Sequence, residues 1–298
     1  MSTVGLPYAF RWEDHPVLYH YTSLTAPRAM LSSQTFWLSD YASLNDTSEY
    51  VHARDRLLAM MSNREVYLDL TVRVLVIAAL TNMERSTRMM IGSLTSRRDD
   101  LNQWRLYGDN TAGCVLGLDA RFLQEEAGVA IRSIVYDPKR SEALLKAGLT
   151  ILQDGYEAEP ENHEELTTFA NHLIGDFFAI KHPAFADERE VRICRMLVRD
   201  AEQLMDVGGN TAGGAGTPVL RPESRSAAFG MAPYVALPVT KTDGSSAIIS
   251  MGFGPMVSDA AYEAEEASMG EHGMEIWRSA LPFRRRNGGG GTGSGSVK

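Results

Sequence analysis

The stretch FADEREVRIC (Phe185 to Cys194) decides how this chain is read. Alternation puts Val191 and Ile193 on one side of an extended backbone and Glu188, Glu190 and Arg192 on the other. A strand with one apolar face and one face of two carboxylates and a guanidinium has two readings. It is a ladder of ion pairs, or an edge where a carboxylate meets developing positive charge or accepts a proton. Two earlier stretches share the design of an apolar run ending in polar groups. VLYHYTS (Val17 to Ser23) carries His20, and FWLSDYASLND (Phe36 to Asp46) carries Ser39 and Tyr41. Polar groups punctuating strands of one sheet suit a grip on a ribose-bearing ligand beside a carboxylate. His20 taken alone is more often a satisfied core histidine or a helix cap.

Working outward, further strands are expected at 89–94, 113–118, 130–136, 233–239, 247–251 and 274–281. Helices are expected at 24–33, 46–61, 65–80, 101–107, 140–153, 163–180 and 259–273. The 65–80 helix is read from Val66, Leu70, Val74 and Ile77, which recur at helical spacing. Asp46 and Glu49 have the spacing of a capping box. Ser96 and Asp99 are candidate caps for the 101–107 helix, and Arg97 and Arg98 just before it are placed to meet a phosphate with the helix amides. Short strands scattered among helices without a βαβ beat argue for an α+β fold with a mixed or antiparallel sheet. Residues 206–232 include GGNTAGGAGTP and read as a Gly-rich mobile loop. The chain reads as one globular domain over 1–286, with 287–298 a flexible linker or added tail.

At 298 residues and 44% hydrophobic content, the chain is long enough for a substantial core. Its net charge of −9 gains nothing from counterion release, which argues against tight nonspecific nucleic-acid binding. The longest apolar run, Val72 to Leu80, is too short to span a bilayer, and the N-terminus lacks the pattern of a signal peptide. A cytoplasmic protein is expected. Cys114 and Cys194 lie in apolar runs and read as buried thiols, with a single disulfide left open. No HExxH, CxxC, GxGxxG or P-loop pattern is present, so a metal site has no support.

The order of these segments resembles the bacterial domain-of-unknown-function family 2971. The resemblance runs through LYHYTS, LSDYASLNDTSE, the serine-bearing strand and Trp/Tyr helix of IGSLTSRRDDLNQWRLYGDNTAGCVLGLD, IVYDP, KHPAFADEREVR, GFGP and SALPFR. The Gly-rich segment looks longer than that family usually carries, and GSLTS lacks a cysteine often found before its serine. A more distant similarity links LYHYTS, FWLSD and EREVR to the ADP-ribosyltransferases. That likeness implies sheets split around a cleft and flanked by helices, with NAD as substrate. It implies NAD contacts from His20, Tyr21 and Thr22, and a nicotinamide pocket lined by Ser39 or Tyr41. It makes Glu190 catalytic and puts Glu188 where an acceptor is oriented. A tyrosine follows the histidine where glycine is common, which bears on the depth of that pocket. The implied role is a toxin or anti-phage effector modifying protein or nucleic acid. Two other readings stand beside it. One is a nucleotide sensor without chemistry. The other is a nuclease or glycosidase using Glu188 and Glu190, about 7 Å apart along a strand, as an acid/base pair.

Overall fold

The computed structural model describes residues 10–43, 48–200, 203–208, 222–227, 230–269 and 273–282. In chain order the elements are β1 (Val17–Thr22), α1 (Ala26–Ser33), β2 (Thr35–Asp40), α2 (Ser48–Ser62), α3 (Leu70–Ser86) and β3 (Thr87–Thr95). Next come α4 (Leu101–Leu106), β4 (Cys114–Asp119), α5 (Ala120–Glu125), β5 (Ala130–Ser133), α6 (Pro138–Ala158) and α7 (His163–Gly175). The chain continues through β6 (Glu190–Asp200), β7 (Gln203–Gly208), β8 (Glu223–Ala227), β9 (Gly230–Pro238), β10 (Ile248–Phe253), α8 (Asp259–Met269) and β11 (Glu275–Arg278).

The strands form one 11-stranded sheet flanked by helices, an α+β architecture. The sheet is mixed: β10 and β11 run parallel, and the other named pairings are antiparallel. Its central feature is a fork at β3. One edge of β3 pairs with β6 along its whole length, Thr87 to Thr95. The other edge is shared: β1 joins only at Thr95, opposite Tyr19, while β2 joins only at Met90 and Ile91. Among the described residues, Gly92, Ser93 and Leu94 therefore have no strand partner on that edge. From the fork, one arm runs through β1, β4, β10 and β11, and the other through β2, β9 and β8.

Gly92 is what permits the close approach at this point. A Cβ there would lie 2.5 Å from Phe36 Cε1 and 2.9 Å from both Ile193 Cγ1 and Leu38 Cδ2. Two apolar cores follow from the two sheet faces. Leu18, Phe36, Leu38, Met90, Leu94, Val191 and Ile193 pack on one face. Ile91 and Cys194 pack on the other against α2, α3, α6 and α7.

Several expected elements are shifted. The helix expected at 65–80 begins instead at Leu70, because Asp69 caps it by accepting from the Thr71 amide. Its Leu70, Val74 and Ile77 are exposed, and it packs through Val72, Val76, Ala79, Leu80 and Met83. Asp100, rather than Ser96 or Asp99, caps α4. The supposed loop at 206–232 is in part sheet, since β7, β8 and β9 enter it. Residues 209–221, 228 and 229, the cap at Asp46 and the tail at 287–298 lie outside the described residues. Cys114 and Cys194 are free and buried. Burial pushes the Cys194 thiol up to about 12. Among the described residues no helix is long and apolar enough to cross a membrane.

Candidate functional site

The β3–β6 register places Thr95 opposite Glu190 and Ser93 opposite Arg192, so all four side chains leave one face of the sheet. There Glu190 collects four donors. Oε1 accepts from Ser93 Oγ at 2.6 Å and Arg192 Nε at 2.8 Å, and Oε2 accepts from Lys181 Nζ at 3.0 Å and Arg192 Nη2 at 3.1 Å. A carboxylate has about four lone-pair positions, so this one is full. Its own amide donates to Tyr136 Oη at 2.9 Å. Burial alone would raise the Glu190 carboxyl, but the charges of Arg192 and Lys181 overcome that and hold it at about 2. Arg192 is fixed in turn by donating to the Phe178 carbonyl at 2.8 Å.

Glu188 is not on the strand. It closes a 3-10 turn, Pro183–Glu188, and Arg189 follows it in the left-handed region with φ of 46°. The kink still brings Glu188 back to Glu190, because Lys181 Nζ lies 2.6 Å from Glu188 Oε2 while also holding Glu190. Tyr107 Oη donates to the other Glu188 oxygen at 2.7 Å, and Gln103 Nε2 donates to its carbonyl at 2.7 Å. Lys181 Nζ thus bridges the two carboxylates as a shared ion-pair partner. A cleft of about 220 Å³ between α2 and α6 has Tyr136 and Lys181 in its wall. Two partners of Glu190 therefore border open space.

His20 reaches the same point from the other side. Tyr19 faces with Thr95, so alternation turns His20 to the opposite face of β1 from the Ser93 and Glu190 side chains. There its ring packs edge-on against Phe36 at 4.9 Å. The ring enters the fork, and Nδ1 lies 3.2 Å from the Ser93 carbonyl. A carbonyl only accepts, so Nδ1 carries the proton in this contact. Burial lowers the His20 pKa, and nearby Arg225 adds to the effect against the Ser93 contact. The neutral ring thus leaves Nε2 as an acceptor.

The remaining expected contacts divide. Tyr21 is buried among Trp104, Tyr19 and Val115, and its hydroxyl spans the 97–100 turn, donating to the Arg97 carbonyl and accepting from the Asp100 amide, both at 3.0 Å. Thr22 ends β1 opposite Cys114. Ser39 is buried and accepts from Arg225 Nη2 at 3.0 Å, on the same face as Ile91 and Ser93. Tyr41 packs edge-on against Phe178 at 4.7 Å, and its hydroxyl accepts from the Tyr50 amide. Arg98 stacks over Trp277 at 4.7 Å and pairs with Glu275. The α4 amides expected to meet a phosphate are already bonded to the Asp100 carboxylate. The structure thus gathers His20 and Glu190 around Ser93, ties Glu188 in through Lys181, and gives Tyr21, Tyr41 and Arg98 packing partners instead. Ser93, Lys181, Tyr107 and Tyr136 do not stand out in the sequence as site residues. Their spacing to Glu190 is set by antiparallel register and by the Arg189 kink, neither of which shows as a local pattern. Among the described residues no group of three or more His, Cys, Asp or Glu side chains is gathered to hold a metal ion.

The model of the family described as Protein of unknown function (DUF2971) matches residues 103–193. That span holds Gln103, Tyr107, Tyr136, Lys181, Glu188, Glu190 and Arg192, while His20 and Ser93 precede it. No curated protein and no solved structure matches the chain.

Proposed function

We propose, from the geometry around Ser93 and from the match of residues 103–193 to the DUF2971 family model, an ADP-ribosyltransferase-like enzyme that takes NAD as substrate. The observation that carries this reading is the fork at Ser93. An unpaired stretch of strand edge lies between β1 and β2, with an imidazole and a carboxylate on its two sides. The Ser93 amide shares the edge of its carbonyl, so backbone donor and acceptor are together where a planar carboxamide can be read.

Of the four donors on Glu190, only the Ser93 hydroxyl is neutral and free to rotate. A ribose hydroxyl would take its place on Oε1, and the displaced Ser93 hydroxyl would turn to the ligand. The His20 Nε2 lone pair would accept from a second hydroxyl. Held this way, the bond between nicotinamide and ribose would stretch beside an ionised carboxylate that stabilises the oxocarbenium character of the sugar. The acceptor, protein or nucleic acid, would then attack that carbon as nicotinamide leaves.

A second reading is favoured by one specific feature. Lys181 and Arg192 cancel much of the Glu190 charge, which suits a sensor that binds a nucleotide without turning it over. Nicotinamide release from NAD separates the two. The transferase reading expects release by the wild type, in the presence of protein or oligonucleotide acceptors, and a fall of roughly a hundredfold or more in folded Glu190→Gln. NAD binding with no release, unchanged by the substitution, supports the sensor.

A further inference from the structure

On the face of the sheet that carries Ser93 and Glu190, the register of β2 also turns out Trp37. Ser39 faces Ile91, so continuing that pairing across the fork sets Trp37 opposite Ser93. Trp37 is 46% exposed in spite of its size. It is also held flat: the Tyr234 ring from β9 stacks on it at 4.3 Å with an interplanar angle of 28°, and the Tyr234 hydroxyl is anchored on Glu223 at 2.6 Å. An indole braced on one side and open on the other, beside unpaired strand edge, is a ready stacking surface.

A second, independent observation lies two strands away on the same face. Arg225 on β8 gives Nη2 to Ser39, but its buried Nε finds no hydrogen-bond partner among the described residues. Buried donors are nearly always satisfied, so an orphan guanidinium N–H signals an absent acceptor. Nε and Nη2 form the edge that grips phosphate or carboxylate in two parallel bonds.

We infer that this face is a nucleotide-binding surface in which Trp37 stacks the base and the Nε–Nη2 edge of Arg225 takes a phosphate. The inference rests on the nucleotide reading of the fork and adds the residues that would recognise base and phosphate. It requires binding only, so it survives if the transferase chemistry fails.

Calorimetric titration of the full chain with NAD, and with ribose 5-phosphate as a base-free probe, tests it. Trp37→Ala is expected to weaken NAD binding roughly tenfold or more, as loss of one aromatic–base stack does. Trp37→Phe is expected to restore most of it, with ribose 5-phosphate unaffected by either change. Arg225→Gln is expected to weaken both probes. Binding of NAD that is indifferent to Trp37→Ala overturns the inference, and so does absence of NAD binding by the wild type. Trp37-dependent binding without nicotinamide release upholds this surface while removing the transferase reading.

Discussion

The Ser93 hydroxyl donates to Glu190 Oε1 at 2.6 Å, and this bond joins the two strands that carry the site. The same residue accepts from His20 through its carbonyl. Residues far apart in the chain therefore meet at one position of β3, where the sheet divides.

Glu190 also contributes to stability through its ion cluster. Its folded pKa of about 2 lies below its ordinary 4.5, so the native state binds that proton less tightly than the unfolded chain. The resulting stabilisation is complete above about pH 4.5 and is lost as pH falls toward 2. Glu190→Gln removes it and takes the carboxylate charge away from buried Arg192. The expected cost is about 3 kcal/mol at pH 7, much reduced near pH 2. Urea unfolding at several pH values measures both numbers. An equal loss at all pH values contradicts the ion cluster.

The His20 ring is expected to hold its proton on Nδ1 and to stay neutral at pH 7. Nitrogen–proton correlation spectra of the imidazole report the tautomer directly. Because burial lowers its pKa from 6.5, its contribution to stability is present above that value and declines as pH falls below it. An Nε2–H tautomer, or a ring protonated at pH 7, contradicts the placement.

Packing of α3 gives a sharper contrast. Leu80→Ala is expected to cost about 2–5 kcal/mol, whereas Val74→Ser on the outer face stays within about 0.5 kcal/mol. Chemical denaturation of the two variants checks this. The sequence periodicity suggested the reverse orientation. Leu70, Val74 and Ile77 do recur at helical spacing, but so do Val72, Val76 and Leu80, and a helix apolar all round does not reveal which stripe meets the sheet.

Gly92→Ala is expected to destabilise by about 1–3 kcal/mol, because its Cβ would meet Phe36, Leu38 and Ile193 at or inside 2.9 Å. Relief requires the Phe36, Leu38 and Ile193 side chains to shift, and Phe36 packs against His20, so NAD binding is expected to weaken as well. Thermal unfolding together with NAD titration reads both effects. A variant as stable as the wild type contradicts the close approach.

What was legible in the sequence was mostly local. The alternation in EVRIC gave β6 and the shared face of Glu190 and Arg192, and VLYHYTS gave β1. The scatter of short strands gave the α+β class. Glu188 was misplaced onto the strand because a left-handed arginine at 189 breaks the alternation, and non-glycine residues rarely adopt that conformation. Ser93 and Lys181 were invisible as partners because their contacts depend on the β3–β6 register and on the turn after Ile180. Tyr21 and Tyr41, beside polar neighbours in sequence, fold inward because their rings complete the two aromatic clusters. The fork itself has no sequence signature, since it is a statement about which strands stop pairing.

A crystal structure of the full chain with NAD bound shows whether the fork at Ser93 holds the nicotinamide ribose. A nicotinamide ribose hydroxyl is expected on Glu190 Oε1 in place of the Ser93 hydroxyl, with the carboxamide on the Ser93 strand edge. NAD seated elsewhere, with the Ser93–Glu190 bond intact and the fork empty, would contradict it.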